Sequence, residues 1–203
     1  MAHDVAAAYA HRAAEYAQHL GSMEAVHPSD AQLVTSWAAA VDGPVLDVGC
    51  GPGHWTAHLV ELGVDARGVD PVPAFVDLAR ASWPGVPVEV GSADALADPS
   101  ATYGGVLAWY SLVHHEPATL GRPLAELARV LRPGGRLLVG FFVGDALEPF
   151  DHAVVTAWRW PADRLAEELR AAGFDVLETH VRRGPDDGPR PHGAIVARLR
   201  PSR

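Results

Sequence analysis

Three glycines at alternate positions, Gly49, Gly51 and Gly53, follow an apolar run in PVLDVGCGPGHW, residues 44–55. A glycine-rich turn between a strand and a helix lets the backbone approach a nucleotide-like ligand closely. The dinucleotide fingerprint G-x-G-x-x-G/A needs a small third residue so that helix and strand pack together. Read from Gly49, that residue is His54, and the pattern present is D-x-G-x-G-x-G from Asp47 to Gly53. A carboxylate at Asp47 repels a pyrophosphate on the loop and favours a cation such as an α-ammonium, directly or through water. The competing reading is an Asp that caps its own turn. Asp70, 21 positions beyond Gly49, closes the next apolar run, where an acidic side chain accepts hydrogen bonds from ribose hydroxyls. The ligand implied is a ribonucleoside joined to an amino acid rather than to phosphates.

Other residues offer chemistry with less context. His114 and His115 in LVHHEP follow a fourth apolar run. His114 is placed either to take a proton from a reacting group or to serve as a buried, hydrogen-bonded loop residue. His54 and His58 have the i, i+4 spacing of two ligands on one helical face, but HWTAH lacks the zincin glutamate and a third ligand, so no metal site is expected. Cys50, the only cysteine, reads as a small buried residue between motif glycines. Tyr9 and Tyr16 share a helical face with Arg12 nearby. That face either packs on the core or closes over a ligand, with a tyrosine hydroxyl reaching it and Arg12 pairing a carboxylate.

Composition removes several function classes. The sequence has 203 residues and a formal net charge of −9, which argues against a nucleic-acid partner. All 16 basic residues are Arg. Without Lys there is no Walker P-loop, no Schiff-base chemistry and no Tyr/Lys dehydrogenase site. The N-terminus lacks the basic region and uninterrupted apolar core of a signal peptide, and no window is apolar enough to span a bilayer. A soluble, cytoplasmic protein is expected, with no membrane partner.

The elements that must position these residues read as follows. A helix covers 4–20, and a second starts at Ser29, with Ser29 and Gln32 at capping-box spacing and Leu33, Trp37 and Val41 as its apolar stripe. Strands at 45–49, 64–69, 87–90, 105–111 and 136–142 alternate with helices, the turn RPGG (132–135) preceding the fifth strand. Fully apolar strands in that rhythm predict a parallel sheet covered on both faces. A helix over 161–172 leads to two closing strands, FDVLETHV and AIVARLR, whose short connection predicts an antiparallel pair.

VLDVGCGPG, GVD at 68–70, VGSADAL at 90–96, VLAWYSLVHH at 106–115 and ARVLRPGGRLLVGFF at 128–142 resemble the ordered motifs of the class I S-adenosylmethionine-dependent methyltransferases. The resemblance covers about residues 43–203 and is closest to small-molecule enzymes of GC-rich bacteria. It implies a Rossmann-like α/β fold: a seven-stranded, mostly parallel sheet of order 3-2-1-4-5-7-6, last strand antiparallel, with helices on both faces. Residues 1–42 would be a helical lid, 43–203 the core, and 143–160 an acceptor-pocket insertion in which His152, Trp158, Arg159 and Trp160 form either a wall for an aromatic or anionic molecule or part of the core. The cofactor implied is S-adenosyl-L-methionine, leaving as S-adenosyl-L-homocysteine. Gly49, Cys50, Gly51, Gly53 and His54 would lie along its methionine and ribose, Asp70 and Pro71 at the ribose, and Ser92 and Ala93 at the adenine edge. Ser92 departs from the family's usual acidic residue there, with Asp94 two positions on as its substitute. Ala108, Trp109 and Tyr110 would line the methionine end and the mouth of the acceptor pocket. An NAD(P)-dependent oxidoreductase is the alternative enzyme, disfavoured by Asp47, His54 and the missing Lys. A cofactor-binding protein without catalysis is the non-enzymatic one.

Overall fold

The computed structural model describes residues 21–152, 155–183 and 191–201. The helix predicted over 4–20, with Tyr9, Arg12 and Tyr16, lies outside the described residues.

Strands β1 (Val45–Val48), β2 (Ala66–Asp70), β3 (Val88–Val90), β4 (Tyr103–Trp109) and β5 (Leu131–Val143) run parallel in the order β3-β2-β1-β4-β5. Two more strands extend the sheet: β9 (His192–Leu199) pairs antiparallel with β5, and β8 (Phe174–Arg182) pairs antiparallel with β9. The frame is therefore 3-2-1-4-5-9-8, the predicted order with the closing pair as its sixth and seventh strands. The sequence reading omitted a hairpin, β6 (Glu148–Phe150) with β7 (Ala157–Trp160), inside the 143–160 stretch. β7 runs parallel with the last two residues of β5, so β5 carries β9 along its length and β7 at its tip. Three- and four-residue strands are too short to show a pattern in sequence.

Both faces of the sheet's centre are covered, which is why β1, β4 and the second half of β5 are almost uniformly apolar, whereas β8 at the edge is polar and largely exposed. Alternate residues of each strand point to opposite sides. Leu46, Val48, Val106, Leu137, Val139 and Ile195 meet helices α4 (Gly121–Val130) and α5 (Ala162–Ala171) through Leu124, Leu127, Leu165 and Leu169. Val45, Leu107, Leu138 and Val196 meet α1 (Pro28–Ala39) and α2 (His54–Glu61) through Val34, Trp37, Trp55 and Leu59. Helix α3 (Pro73–Ser82) covers the β2–β3 end with Val76 and Ala79.

Two local expectations are corrected. Helix α1 begins at Pro28 rather than after a Ser29 cap: His27 is the cap, its Nδ1 accepting from the Ser29 N–H at 3.2 Å. Pro28 fits the first helical position because its missing N–H would have had no intrahelical partner. RPGG is also not a turn ahead of β5 but lies within it, as an irregularity where the register jumps from Tyr103↔Leu131 to Gly105↔Arg136. At the start of β4, a Cβ on Gly104 would sit 1.9 Å from the Asp42 carbonyl oxygen. Because backbone cannot step aside as a side-chain tip can, Gly104→Ala is expected to cost about 2 kcal/mol or more, read as a lower urea midpoint. An unchanged midpoint would show that the 42–44 turn moves freely.

Candidate functional site

The glycine loop joins β1 to α2, and all three glycines have left-handed φ (72°, 54° and 81°), a region costly for side-chain-bearing residues. Each omits its side chain for a different reason. A Cβ on Gly49 would lie 2.2 Å from Ser111 Cβ, so β1 and the loop after β4 close on each other there. A Cβ on Gly53, the α2 cap, would meet Ala79 of α3 at 2.8 Å. At Gly51 nothing lies within 4 Å, so the loop's middle faces open space.

Asp70 clamps that middle. Its Oδ2 accepts from the Gly51 N–H at 2.8 Å and its Oδ1 from the Val72 N–H at 2.8 Å. One carboxylate thus fixes both the glycine loop and the turn through Pro71 into α3. Burial pushes Asp70 up to about 6 against the two amide bonds that favour its charge. Asp47 is buried more deeply, 1% exposed, and accepts from Thr56 Oγ1 of α2 at 2.7 Å. Burial pushes it up to about 7, opposed by Thr56 and reinforced by the nearby Asp70 charge. Both lie beside Gly68, where a Cβ would strike Thr56 Oγ1 and Cys50 Sγ at 2.7 and 2.8 Å. Burial also pushes the Cys50 thiol well up, away from a nucleophile's range.

Two polar atoms flank the loop without hydrogen-bond partners among the described residues: Ser111 Oγ and His54 Nδ1. Burial, with His58 beside it, holds His54 neutral, down to about 4. His58 itself is tied to Thr35 of α1 at 3.0 Å. Buried polar atoms without partners are uncommon in finished structures. Both atoms are buried, Ser111 Oγ against Gly49 and His54 Nδ1 in the first turn of α2, while the open space lies over Gly51, where it leaves room for a nucleoside cofactor. Ser111 was missed in the sequence because a lone serine after a strand carries no pattern.

Past β3, Ser92 Oγ accepts from the Asp94 N–H at 3.2 Å in a tight turn, and Ala93 packs against the core. Asp94 is engaged with His115 Nε2 at 3.2 Å. At the end of β4, Ala108 is fully buried. Trp109 packs edge-on against Trp55 at 5.6 Å. Tyr110 adopts a left-handed φ of 56°, with its hydroxyl on His192 Nδ1 at 2.5 Å. His192 opens β9 opposite Phe142 of β5; its place beside Tyr110 depends on long-range pairing that no local motif announces.

His114 meets the insertion: its Nδ1 pairs with the Thr156 carbonyl at 2.9 Å and its ring lies 5.6 Å from that of His152. A carbonyl can only accept, so Nδ1 carries the proton and Nε2 is the basic nitrogen. Burial lowers the imidazole's basicity, partly offset by that bond. Of the wall predicted in the insertion, Trp160 is in the core, Trp158 packs against it, and Arg159 stacks over Phe150 at 4.3 Å while pairing with Glu148 at 3.2 Å.

Comparison with known proteins agrees with this architecture. The family described as "Methyltransferase domain" matches residues 45–135. An uncharacterized methyltransferase of Mycobacterium bovis is 38% identical over 122 residues, 58% of this chain and 48% of the relative. The O-methyltransferase cnsE of Penicillium expansum is 36% identical over 154 residues, 68% of this chain and 54% of the relative. The chain spans about half the length of these curated relatives. Among solved structures, the 1,6-didemethyltoxoflavin-N1-methyltransferase of Burkholderia thailandensis, determined with 1,6-didemethyltoxoflavin and S-adenosylhomocysteine, is similar at a TM-score of 0.74 and 26% identity, covering 98% of this chain and 91% of that one. With the glycine loop, the Asp70 clamp and the 3-2-1-4-5-9-8 frame already in place, residues 45–135 match the methyltransferase domain, and the chain is similar to S-adenosylmethionine-dependent methyltransferases in sequence and fold.

Proposed function

We propose that the protein transfers a methyl group from S-adenosylmethionine to a planar small molecule in the cytoplasm. The observation that carries this reading is the open space over Gly51, beside the buried Asp70 carboxylate that accepts from the Gly51 N–H. The cofactor supplies a methyl already activated on a sulfonium, so the protein's task is to bind, align and exclude water.

Asp70 holds the ribose hydroxyls with the lone pairs its two amide bonds leave over, and Pro71 borders them. Gly49, Cys50, Gly51 and Gly53 lie along the ribose and methionine, His54 and Ser111 meet the amino-acid end, and Asp47 provides a negative potential beneath its ammonium. Ser92 and Ala93 border the adenine. Trp109 and Tyr110 stand between cofactor and acceptor. His114 holds the insertion through its bond to the Thr156 carbonyl. The small-molecule acceptor is supported by the 1,6-didemethyltoxoflavin bound by the similar Burkholderia enzyme.

Calorimetry with S-adenosylhomocysteine and with NAD tests the reading. The homocysteine product is expected to bind with a micromolar Kd, on the order of −8 kcal/mol, and NAD not at all. NAD binding without product binding would transfer the chain to the oxidoreductases.

A further inference from the structure

A groove of about 860 Å³ opens on the far side of Tyr110 from the β6–β7 hairpin. It runs between the first turns of α1, represented by Leu33 and Ser36, and the outer strands, represented by Arg182 and His192, with Trp109 and Tyr110 as its floor. The sequence places Trp109 and Tyr110 at the mouth of the acceptor pocket and the pocket's wall in the 143–160 insertion; the groove shares the first two residues but is walled by α1 and the β8–β9 pair. Small-molecule sites of this size combine aromatic surface with a few placed polar groups.

Charged groups lining the groove have partners, Arg183 reaching Asp145 beyond its edge at 3.0 Å. Arg182 of β8 bridges to Asp30 of α1 at 3.0 Å, joining the two walls, and His180 meets Glu178 at 2.9 Å. Paired charges over an aromatic floor suit a neutral planar ring better than a polyanion. The polar group at the floor is the Tyr110 hydroxyl. Its ring is held by three others: Trp109 at 5.4 Å, Phe142 at 5.0 Å and His192 at 5.5 Å. Gly140 makes room for it, since a Cβ there would come within 3.2 Å of Tyr110 Cδ2. The left-handed backbone at Tyr110 costs on the order of 1–3 kcal/mol, and such outliers persist where surrounding structure imposes them.

Resting on the methyltransferase reading, we propose that this groove binds the methyl acceptor, a planar phenol or enol, and that Tyr110 passes the acceptor's proton to His192. A phenol is a stronger acid than a neutral imidazole N–H, so Tyr110 donates to Nδ1 and its oxygen accepts from the acceptor's O–H. As the acceptor proton moves to the Tyr110 oxygen, the Tyr110 proton moves to Nδ1. The acceptor oxygen then has the lone pair that forms the new C–O bond while the C–S bond breaks toward sulfur. One positive charge leaves the donor and one remains on the His192 imidazolium, which returns its proton to water. Tyr110 is the catalytic residue and His192 acts through it.

The probe is 4-nitrophenol, whose phenolate absorbs at longer wavelength than the neutral form, titrated at about pH 6 with and without S-adenosylhomocysteine. Saturable binding is expected, with the bound probe ionising about one pH unit lower than the free probe, a tenfold gain in phenolate relative to phenol. Ser36→Trp, which fills the groove from an exposed helix position, should weaken binding about tenfold. Tyr110→Phe and His192→Gln should remove the ionisation shift while changing affinity by less than about threefold. In His114→Gln the shift should persist. Absence of saturable binding, binding indifferent to Ser36→Trp, or a shift that survives His192→Gln would each overturn the proposal. A shift lost only in His114→Gln would move the proton to the insertion side and overturn it too. Failure of the cofactor reading shows separately, as absence of S-adenosylhomocysteine binding in calorimetry.

Discussion

Asp70→Asn is expected to weaken S-adenosylhomocysteine binding about a hundredfold or more while the protein stays folded. The substitution keeps shape but turns one acceptor oxygen into a donor, and both oxygens already receive backbone N–H groups at 2.8 Å. Whichever way the amide is placed, its NH₂ faces the Gly51 or the Val72 N–H, and one amide loses its partner. Losing a charge-assisted bond and leaving a donor unpaired is worth about 3 kcal/mol, close to a hundredfold in Kd. The loss falls on binding because the clamp sets the glycine loop against the space over Gly51, while the core beneath is packed independently. The same geometry gives the wild type a pH dependence. With Asp70 raised to about 6 by burial, affinity should fall as pH drops through about 6, as the proton removes an acceptor. Calorimetry across pH reads both effects, with a thermal melt to show folding. A variant within about threefold of wild type would mean that Asp70 serves the loop alone and that the ribose is held elsewhere.

Sequence was most informative where chemistry is local. The loop's alternate glycines are set by residues a few positions apart and the Asp70 register by a strand and helix about twenty positions long, and the parallel core follows from apolar runs separated by helical periods. What the sequence did not disclose depends on residues distant along the chain. Tyr110 meets His192 across 82 positions, and Arg182 meets Asp30 across 152. The groove between α1 and the β8–β9 pair exists only once β9 has inserted beside β5. The β6–β7 hairpin was invisible because its strands are held by the tip of β5 rather than by their own pattern. The RPGG stretch has every local mark of a turn, yet tertiary pairing on either side carries it into β5. Asp47 shows the limit in another form. Its place in the motif was legible, but its burial and its bond to Thr56 were not, and these decide its energetics.

Asp47→Asn is expected to stabilise the protein at alkaline pH. Asp47 is 1% exposed, has one hydrogen bond from a neutral hydroxyl and sits near a second carboxylate, so the folded state favours its protonated form, up to about 7 against an ordinary 3.8. A group raised in this way holds its proton in the folded chain and loses it in the unfolded one throughout the interval between those values. Stability is therefore fully present below about pH 4 and falls as pH rises through about 7. Asp70, raised to about 6, contributes in the same direction. Asn keeps an oxygen for the Thr56 hydroxyl and cannot ionise, which removes the Asp47 part of the slope. The gain at about pH 8 is on the order of 3–4 kcal/mol, vanishing near pH 4, with a residual slope left by Asp70. Urea unfolding at the two pH values measures it, and a variant no more stable than wild type at the higher pH would show that Asp47 is ionised at little cost in the folded protein. The carboxylate has a reason to remain despite that cost. Its charge beneath the loop favours an ammonium above it, so the stabilised variant should bind S-adenosylhomocysteine more weakly, by about threefold to tenfold. By the same linkage, ligand binding to the wild type near pH 7 should release a proton from Asp47, detectable by calorimetry in buffers of different ionisation enthalpy. The Asn variant should not release it.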